Sequence, residues 1–146
     1  MNTRIKNKQQ GFTLLEVMVV IVILGILASM VVPNLLGSQE KANVQKAVSD
    51  INALETSLTM YKMDNYNFPS TEQSLEALTK QTDIEPLPRR FQEDSYIKRL
   101  PQDPWGNDYQ LLNPGEHGKY DVFSMGPDGE AGTEDDIGNW NLGDYQ

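Results

Sequence analysis

Carboxylates are concentrated in one glycine-rich stretch near the end of the sequence, residues 124–137 (SMGPDGEAGTEDDI). Calcium takes about six to eight oxygen ligands, from carboxylates and backbone carbonyls, on a loop flexible enough to wrap around it. The spacing does not fit the EF-hand pattern. Two interpretations therefore stay open, a calcium-binding loop and a solvated acidic loop. The acids are Asp128, Glu130, Glu134, Asp135 and Asp136.

A second chemically unusual residue is Glu16, the one charge in the apolar run of residues 12–32 (FTLLEVMVVIVILGILASMVV). About 20 apolar residues are enough for a helix to cross a bilayer. A carboxylate deep in the membrane costs roughly 2.5–3.5 kcal/mol on insertion scales, so it usually has a partner and a function. Arg4, Lys6 and Lys8 precede the run. The positive-inside rule therefore predicts that residues 1–10 are cytoplasmic and that the acidic part of the chain after the run lies outside.

Two ordinary explanations of the apolar run fit it less well. A secretory signal peptide has an apolar core of about 7–15 residues followed by a small-x-small cleavage site. This run is longer, and the triplet Ala28-Ser29-Met30 ends in a bulky residue. A plain single-pass anchor leaves Glu16 unexplained.

Composition narrows the remaining function classes. Of the 12 basic residues, three lie in the first ten positions, which hold no acid, so the rest of the chain carries nine basic and 21 acidic residues. Nucleic-acid binding is not expected, because phosphate contacts need Lys and Arg. The sequence has no cysteine, so no disulfide can staple a small domain. No nucleophile–histidine pair, histidine metal set or phosphate loop indicates an enzyme, and His117 is predicted to be a solvated turn residue.

The elements that position these residues follow from periodicity. Apolar residues recur every three or four positions well beyond the apolar run, which predicts one long helix, apolar in its first half and amphipathic in its second. Pro33 lies inside it, either as a tolerated proline or as a place where the helix can bend or partly melt when the chain packs against others. The predicted buried face comprises Leu35, Val44, Ala47, Val48, Ile51, Leu54, Leu58 and Tyr61.

The turn-rich residues 63–69 should end the helix, and Ser70 with Gln73 has capping-box spacing that opens a short helix. Residues 108–112 and 119–124 alternate enough to be strands joined by the turn 113–118. Trp105, in a Pro-Gly turn, is predicted to plug the core. The expected fold is α+β, a long helix packed against a small antiparallel sheet, with an acidic loop near the carboxyl end.

The junction KQQGFTLLE, residues 8–16, resembles the leader junction of type IV pilins and pseudopilins. The resemblance implies that a prepilin peptidase cuts between Gly11 and Phe12, that Phe12 is N-methylated, and that the apolar helix is kept. Glu16 then becomes the fifth residue of the processed chain, and its carboxylate could pair with the new amine of Phe12 on a neighbouring subunit. The implied organisation is a leader over residues 1–11, a transmembrane and assembly helix over 12–33, and a periplasmic domain over 34–146.

Four further stretches, in residues 60–69, 73–78, 100–107 and 124–129, resemble the major pseudopilins of the type II secretion system. This implies a structural subunit that polymerises into the periplasmic pseudopilus and drives export of folded proteins across the outer membrane. Implied partners are further copies of the chain, minor pseudopilins, the prepilin peptidase, the inner-membrane assembly platform and the inner membrane itself. A type IV pilin of an adhesion or motility fibre is the alternative, although such pilins usually carry a cysteine pair. Ser74 stands where the pseudopilin family usually has glycine.

The same resemblance implies calcium in the acidic loop. Carried over residue by residue, it assigns side-chain oxygens to Asp128, Asp135 and Asp136. It also assigns the backbone carbonyl of Met125, and less firmly Thr133.

Overall fold

The computed structural model describes residues 11–145, without the side chains of residues 31–36. The chain divides into two compact units, Met1–Gln39 and Glu40–Gln146. The predicted cytoplasmic leader, with Arg4, Lys6 and Lys8, lies outside the described residues except for Gly11.

One helix, α1, covers the 52 residues Leu14–Asn65 and confirms the predicted long helix. It begins at Leu14 because Thr13 caps its first turn, the N–H of Glu16 donating to Thr13 Oγ1 over 3.2 Å. It ends inside the turn-rich segment where its end is predicted. The helix assignment continues through Pro33, so bending at this proline in a fibre stays a prediction.

The part of α1 in the second unit turns one apolar face to the core. Ile51, Leu54 and Leu58 have no exposed surface, and Val44 is partly buried at the edge of the same cluster. The predicted face is thus confirmed from Val44 to Tyr61, and the side chain of Leu35 lies outside the described part. The other buried members of this face are Ala47, Val48 and Tyr61.

Three short antiparallel strands form the sheet, in the order β1-β2-β3: β1 is Gln110–Leu112, β2 is Asp121–Ser124 and β3 is Ile137–Gly138. Leu111 lies opposite Val122, and Ser124 lies opposite Ile137. All four residues of β2 are buried, as expected for the central strand of a covered sheet. The first two strands confirm the predicted pair, slightly shortened, whereas the sequence reasoning missed β3.

The predicted short helix is a 3₁₀ helix at Leu75–Leu78 that buries Leu75, Ala77 and Leu78. The capping box is present, with Ser70 N donating to Gln73 Oε1 over 2.9 Å and Gln73 N donating to Ser70 Oγ over 3.2 Å. The helix itself begins later than this box, after Ser74, whose φ of 53° lies in the region that favours glycine. A second 3₁₀ helix covers Leu142–Tyr145. Trp105 is only partly buried against the core, so it covers the core rather than filling it.

Candidate functional site

The first candidate site is the start of α1. Gly11 and Phe12 precede the helix and are exposed, and Glu16 is exposed in its first turn. A negative charge in the first turn interacts favourably with the helix dipole, by about 0.3–1 kcal/mol at an exposed position. Within one chain Glu16 therefore belongs to the capped helix start, where Thr13 holds its backbone N–H. Its pairing with Phe12 of another copy stays a prediction.

The apolar side chains that follow have no core of their own. From Phe12 to Met30, every large apolar side chain is 45–82% exposed. Since these side chains cover all sides of the helix, the segment has no single apolar stripe. The predicted membrane segment, residues 12–33, includes residues 31–33, whose side chains lie outside the described part. Among the residues that are described, no helix combines the length and the apolar character required for crossing a membrane.

The second candidate site is the acidic loop between β2 and β3. Of its predicted ligands, Asp136 is 6% exposed, whereas Asp128 and Asp135 are exposed and Met125 and Thr133 are partly buried. The Oδ2 atom of Asp136 accepts the N–H of Gly132 over 2.7 Å. Its Oδ1 atom is buried and is the one buried side-chain polar atom without a hydrogen-bond partner in the described part of the chain.

A buried carboxylate oxygen without a donor is costly, and a bound cation is one way to satisfy it. Asp128 lies differently, since its Oδ1 accepts the N–H of Glu130 over 3.0 Å at the surface. The three predicted carboxylates are not gathered: within residues 11–145 no group of three or more His, Cys, Asp or Glu side chains is arranged to hold a metal. The buried half of the loop fits a hard cation through Asp136, and the exposed half does not converge on it.

Close backbone packing brings the two ends of the loop together. Gly126 has a φ of 64°, and a Cβ added there would collide with the carbonyl oxygen of Asp135. Only glycine fits this conformation at this distance from another backbone. Gly126 at the start of the loop is therefore held against Asp135 at its end. In the sequence, these two residues are the direct neighbours of Met125 and Asp136, two of the predicted ligands.

Sequence reasoning missed a third polar site, which surrounds Asp121. This residue is 1% exposed at the start of β2, and the turn before it folds over its carboxylate. Its Oδ2 accepts the backbone N–H of Glu116 (2.7 Å) and of His117 (3.0 Å), and its Oδ1 accepts that of Gly118 (3.1 Å). A glycine-rich turn directly before an acid that begins a buried strand was the available signal.

His117 belongs to the same site. It is exposed in the turn, as the sequence predicts, but its ring also makes contacts that the sequence does not show. Its Nδ1 lies 3.1 Å from Asp121 Oδ2, and its ring stacks on Trp140 with centroids 3.9 Å apart. Burial by itself would raise the pKa of Asp121, but the backbone N–H and ring of His117 and the N–H of Glu116 hold that pKa below its usual range. Asp121 is therefore a buried carboxylate that the fold keeps charged.

Two tyrosine hydroxyls connect the sheet side of the domain to acids of α1. Tyr109 donates to Asp50 Oδ2 over 2.8 Å, and Tyr120 donates to Glu55 Oε1 over 3.2 Å. Burial, together with Glu55, raises the pKa of Tyr120 to about 12, and burial together with Asp50 raises the pKa of Tyr109. Both hydroxyls therefore remain protonated donors at physiological pH, and they hold α1 on the sheet.

Comparison with known proteins agrees with both the amino-terminal pattern and the fold. The prokaryotic N-terminal methylation motif matches residues 6–32, and the family described as type II secretion system (T2SS), protein G matches residues 34–140. The crystal structure of the major pseudopilin from the type 2 secretion system of enterohaemorrhagic Escherichia coli is similar, with a TM-score of 0.70 and 58% identity. That match covers 76% of this chain and 97% of that chain.

Two named relatives extend the match over nearly the whole length. The type II secretion system core protein G of Pectobacterium carotovorum subsp. carotovorum is 69% identical over 135 residues, which cover 92% of this chain and 86% of the relative. The protein of the same name from Aeromonas hydrophila is 68% identical over 141 residues, or 97% and 99% of the two chains. The chain belongs to the type II secretion system protein G family, whose structural neighbour is a major pseudopilin.

Proposed function

We propose that this protein is the structural subunit of a periplasmic pseudopilus, the fibre whose growth drives export of folded proteins through the type II secretion system. Family membership supports this function over the alternative of an adhesion or motility pilin. The family is one of structural subunits, so the activity is assembly rather than catalysis.

The observation that carries the proposal is the exposed apolar surface from Phe12 to Met30. Apolar area removed from water contributes roughly 25 cal/mol per Å². Soluble monomers rarely leave so large a continuous apolar surface open. A bilayer can cover it before assembly, and the same segment of other copies can cover it within a fibre. Both coverings are consistent with a subunit that is stored in a membrane and then polymerised.

The location follows from this scheme. Residues 1–11 form a cytoplasmic leader, residues 12–33 lie in the inner membrane, and residues 34–146 form the periplasmic domain. A prepilin peptidase removes the leader behind Gly11, and Phe12 is then N-methylated; the methylation motif over residues 6–32 supports this step. Minor pseudopilins and the inner-membrane assembly platform are the further partners of the processed chain.

Glu16 sets the register between copies in this proposal, by pairing with the amine of Phe12 on a neighbour. Such a pair removes two isolated charges from an apolar environment. Glu16→Ala should still be processed and inserted, because its apolar segment becomes more apolar. It should fail to form fibres, measured as cross-linked multimers in membranes and as fibres seen by electron microscopy.

Thr13→Ala is the matched control for Glu16→Ala. It removes the hydroxyl that caps α1 but leaves the carboxylate of Glu16 in place. We expect assembly close to that of the parent, since an N-cap is worth about 1 kcal/mol. Normal fibre yield from Glu16→Ala would contradict the proposed pairing of Glu16 with Phe12. Equal loss in both variants would assign Glu16 to the helix start instead.

Calcium binding by the acidic loop is the second part of the proposal. Asp136 supports it through its buried Oδ1, and Gly126 supports it by drawing the Met125 backbone toward the same place. Asp136 and the Met125 carbonyl would hold the ion, with Asp128, Asp135 and Thr133 completing the oxygen set. A bound ion would neutralise the loop's carboxylates and order the loop.

Melting temperature against free calcium tests this part, because a ligand of the folded state stabilises by mass action. The full chain in detergent should melt at higher temperature as calcium rises, and magnesium should do less because it sheds water reluctantly. Asp128→Ala and Asp136→Asn should each weaken or abolish this response. Without calcium, Asp136→Asn should be at least as stable as the parent, since it removes an unsatisfied buried charge.

Glu116→Ala provides the control, since only the backbone N–H of Glu116 takes part in a described contact. It should respond to calcium as the parent does. No calcium-dependent change in the parent would overturn the calcium proposal and would leave the fibre proposal intact, which rests on the amino-terminal segment.

A further inference from the structure

A buried polar chain joins the acidic loop to a turn that lies outside it in the sequence. Asp103 opens the turn, and its Oδ1 accepts the N–H groups of Trp105 (3.0 Å) and Asn107 (2.7 Å). Its Oδ2 accepts the hydroxyl of Ser124 over 2.6 Å, and both side chains are buried. One oxygen of Asp103 therefore binds its own turn, and the other binds β2.

Ser124 lies where the acidic loop begins. It is the last residue of β2 and pairs with Ile137, the first residue of β3, so residues 125–136 form the connection that this pair closes. Its Oγ also accepts the N–H of Gly126 over 3.1 Å. Because Gly126 packs on the backbone of Asp135, one hydroxyl links the outside turn to both ends of the loop.

This bond controls more than the position of Gly126. The N–H of Gly126 and the C=O of Met125 belong to one planar trans peptide group and point in opposite directions. Fixing the N–H on Ser124 therefore fixes the direction of the Met125 carbonyl. A hydroxyl is a free rotor with one donor and two acceptor positions. The Ser124 hydroxyl donates its hydrogen to the carboxylate of Asp103, so its oxygen is oriented to accept the N–H of Gly126.

We propose that Asp103 is a positioning residue for the cation of the acidic loop, and that it acts through Ser124 on the Met125 carbonyl. This inference rests on the calcium binding proposed above. Asp103 does not touch the ion. It fixes the orientation of the Ser124 hydroxyl. That hydroxyl in turn fixes the peptide group between Met125 and Gly126, whose carbonyl is the proposed ligand.

Calcium titration calorimetry on the full chain in detergent tests the inference. Ser124→Ala leaves the Oδ1 contacts of Asp103 intact but removes the anchor of Gly126, and should raise the calcium Kd about 3- to 10-fold, the effect of one lost hydrogen bond. Asp103→Asn replaces the acceptor by a donor and should raise the Kd by a smaller factor. The two changes together should raise it no further than Ser124→Ala alone, because both act through one hydroxyl.

Ser57→Ala is the matched control, a buried serine of α1 whose hydroxyl donates to Ala53 O over 3.1 Å, remote in sequence from the loop. It should lose some stability and keep the parent Kd. A thermal melt without calcium shows whether each variant is folded. If Ser124→Ala does not fold, Asp103→Asn alone tests the inference. A calcium Kd equal to that of the parent in both Ser124→Ala and Asp103→Asn would overturn the inference without contradicting the calcium site. A parent chain that takes up no calcium would instead overturn the site and this inference together.

Discussion

Leu24 and Leu54 lie in the same helix, but Leu24 is 59% exposed and Leu54 is fully buried. The contrast holds for the two units generally. In the second unit, the apolar face of α1 packs on the sheet and on the 3₁₀ helix at Leu75–Leu78. In the first unit, the large apolar side chains from Phe12 to Met30 are all 45–82% exposed.

The difference shows that one helix can serve two kinds of partner. Its second half has a stripe of apolar residues, because one side faces a domain and the other faces water. Its first half is apolar all round, so exposed apolar surface lies on every side of it. The second unit buries its apolar face within the chain, and in the proposed function a bilayer or other copies would cover the first unit. Four tests can break or sharpen this comparison.

Processing should show the largest effect, because it is all or none. Gly11 is exposed before α1, and its missing side chain lets a peptidase approach the backbone. Gly11→Leu should leave only the uncut precursor in cells that carry the peptidase, whereas the parent should begin at a methylated Phe12. Intact mass measures both. A parent chain cut after Ala28 would show that the apolar segment is removed, and the contrast between the two units would lose its meaning for the mature protein.

The most direct test of the comparison makes one substitution in both halves of the helix. Leu54→Ala should lower the free energy of unfolding of the domain by about 2–5 kcal/mol, because it opens a cavity in the core. Leu24→Ala should change it by less than about 0.5 kcal/mol, as expected for an exposed position. Urea unfolding of the full chain in detergent, followed by tryptophan fluorescence, measures both.

Fibre yield should reverse the order of the two leucine variants. Folded Leu54→Ala subunits keep the surface that other copies would cover in the proposed fibre, whereas Leu24→Ala removes part of it. Equal destabilisation by the two changes would contradict the division, since it would mean that Leu24 is packed within its own chain.

The contrast between the two halves of α1 was predictable from the sequence, because local patterns carry it. The apolar run and the three- and four-residue spacing after it are local patterns, so they predict α1 and its buried face. The capping box at Ser70 and the first two strands are likewise local. Strand β3 was missed because it has two residues, Ile137 and Gly138, and is defined only by its pairing with β2.

The polar sites were predictable only in part, because they depend on contacts between distant residues. The acidic loop stands out by composition, but the burial of Asp136 and the exposure of Asp128 do not. The Asp103–Ser124 bond joins residues 21 positions apart, and no spacing rule predicts it. His117 is exposed as predicted, but nothing in the sequence places Trp140 over its ring.

Asp121 offers the third test, of whether the second unit also satisfies its polar groups internally. Its folded pKa lies below the usual value of about 3.9, so the unfolded state binds more protons in the range between the two values. The stabilisation is therefore complete above that range and is lost as pH falls through the folded pKa. Asp121→Asn should cost about 2 kcal/mol near neutral pH, because three backbone donors lose a charged acceptor.

Urea midpoints measured from neutral to acidic pH should converge for the parent and Asp121→Asn at the acid end. Glu76→Gln is the control, since the exposed pair of Glu76 with Lys80 is of the kind that contributes little to stability. A constant gap between the parent and Asp121→Asn at all pH values would show that the carboxylate's charge is not what holds the turn.

The smallest effect should come from Ser74, where the sign is informative. Its φ of 53° and ψ of −172° lie in a region used almost only by glycine and cost on the order of 1 kcal/mol or more for other residues. Its hydroxyl offsets part of this by accepting the N–H of Glu76 over 3.2 Å. Ser74→Ala keeps the strain and loses the bond, whereas Ser74→Gly loses both. The glycine variant should therefore be more stable than the alanine variant by about 0.5–1 kcal/mol at this position.

In the exposed interior of α1 the order of stability should reverse, with Ala53→Gly lowering the free energy of unfolding by about 1 kcal/mol. Thermal melts of the three variants measure both orders. If Ser74→Ala were more stable than Ser74→Gly, the backbone here would relax to an ordinary conformation. The glycine typical of the family would then serve something other than this turn.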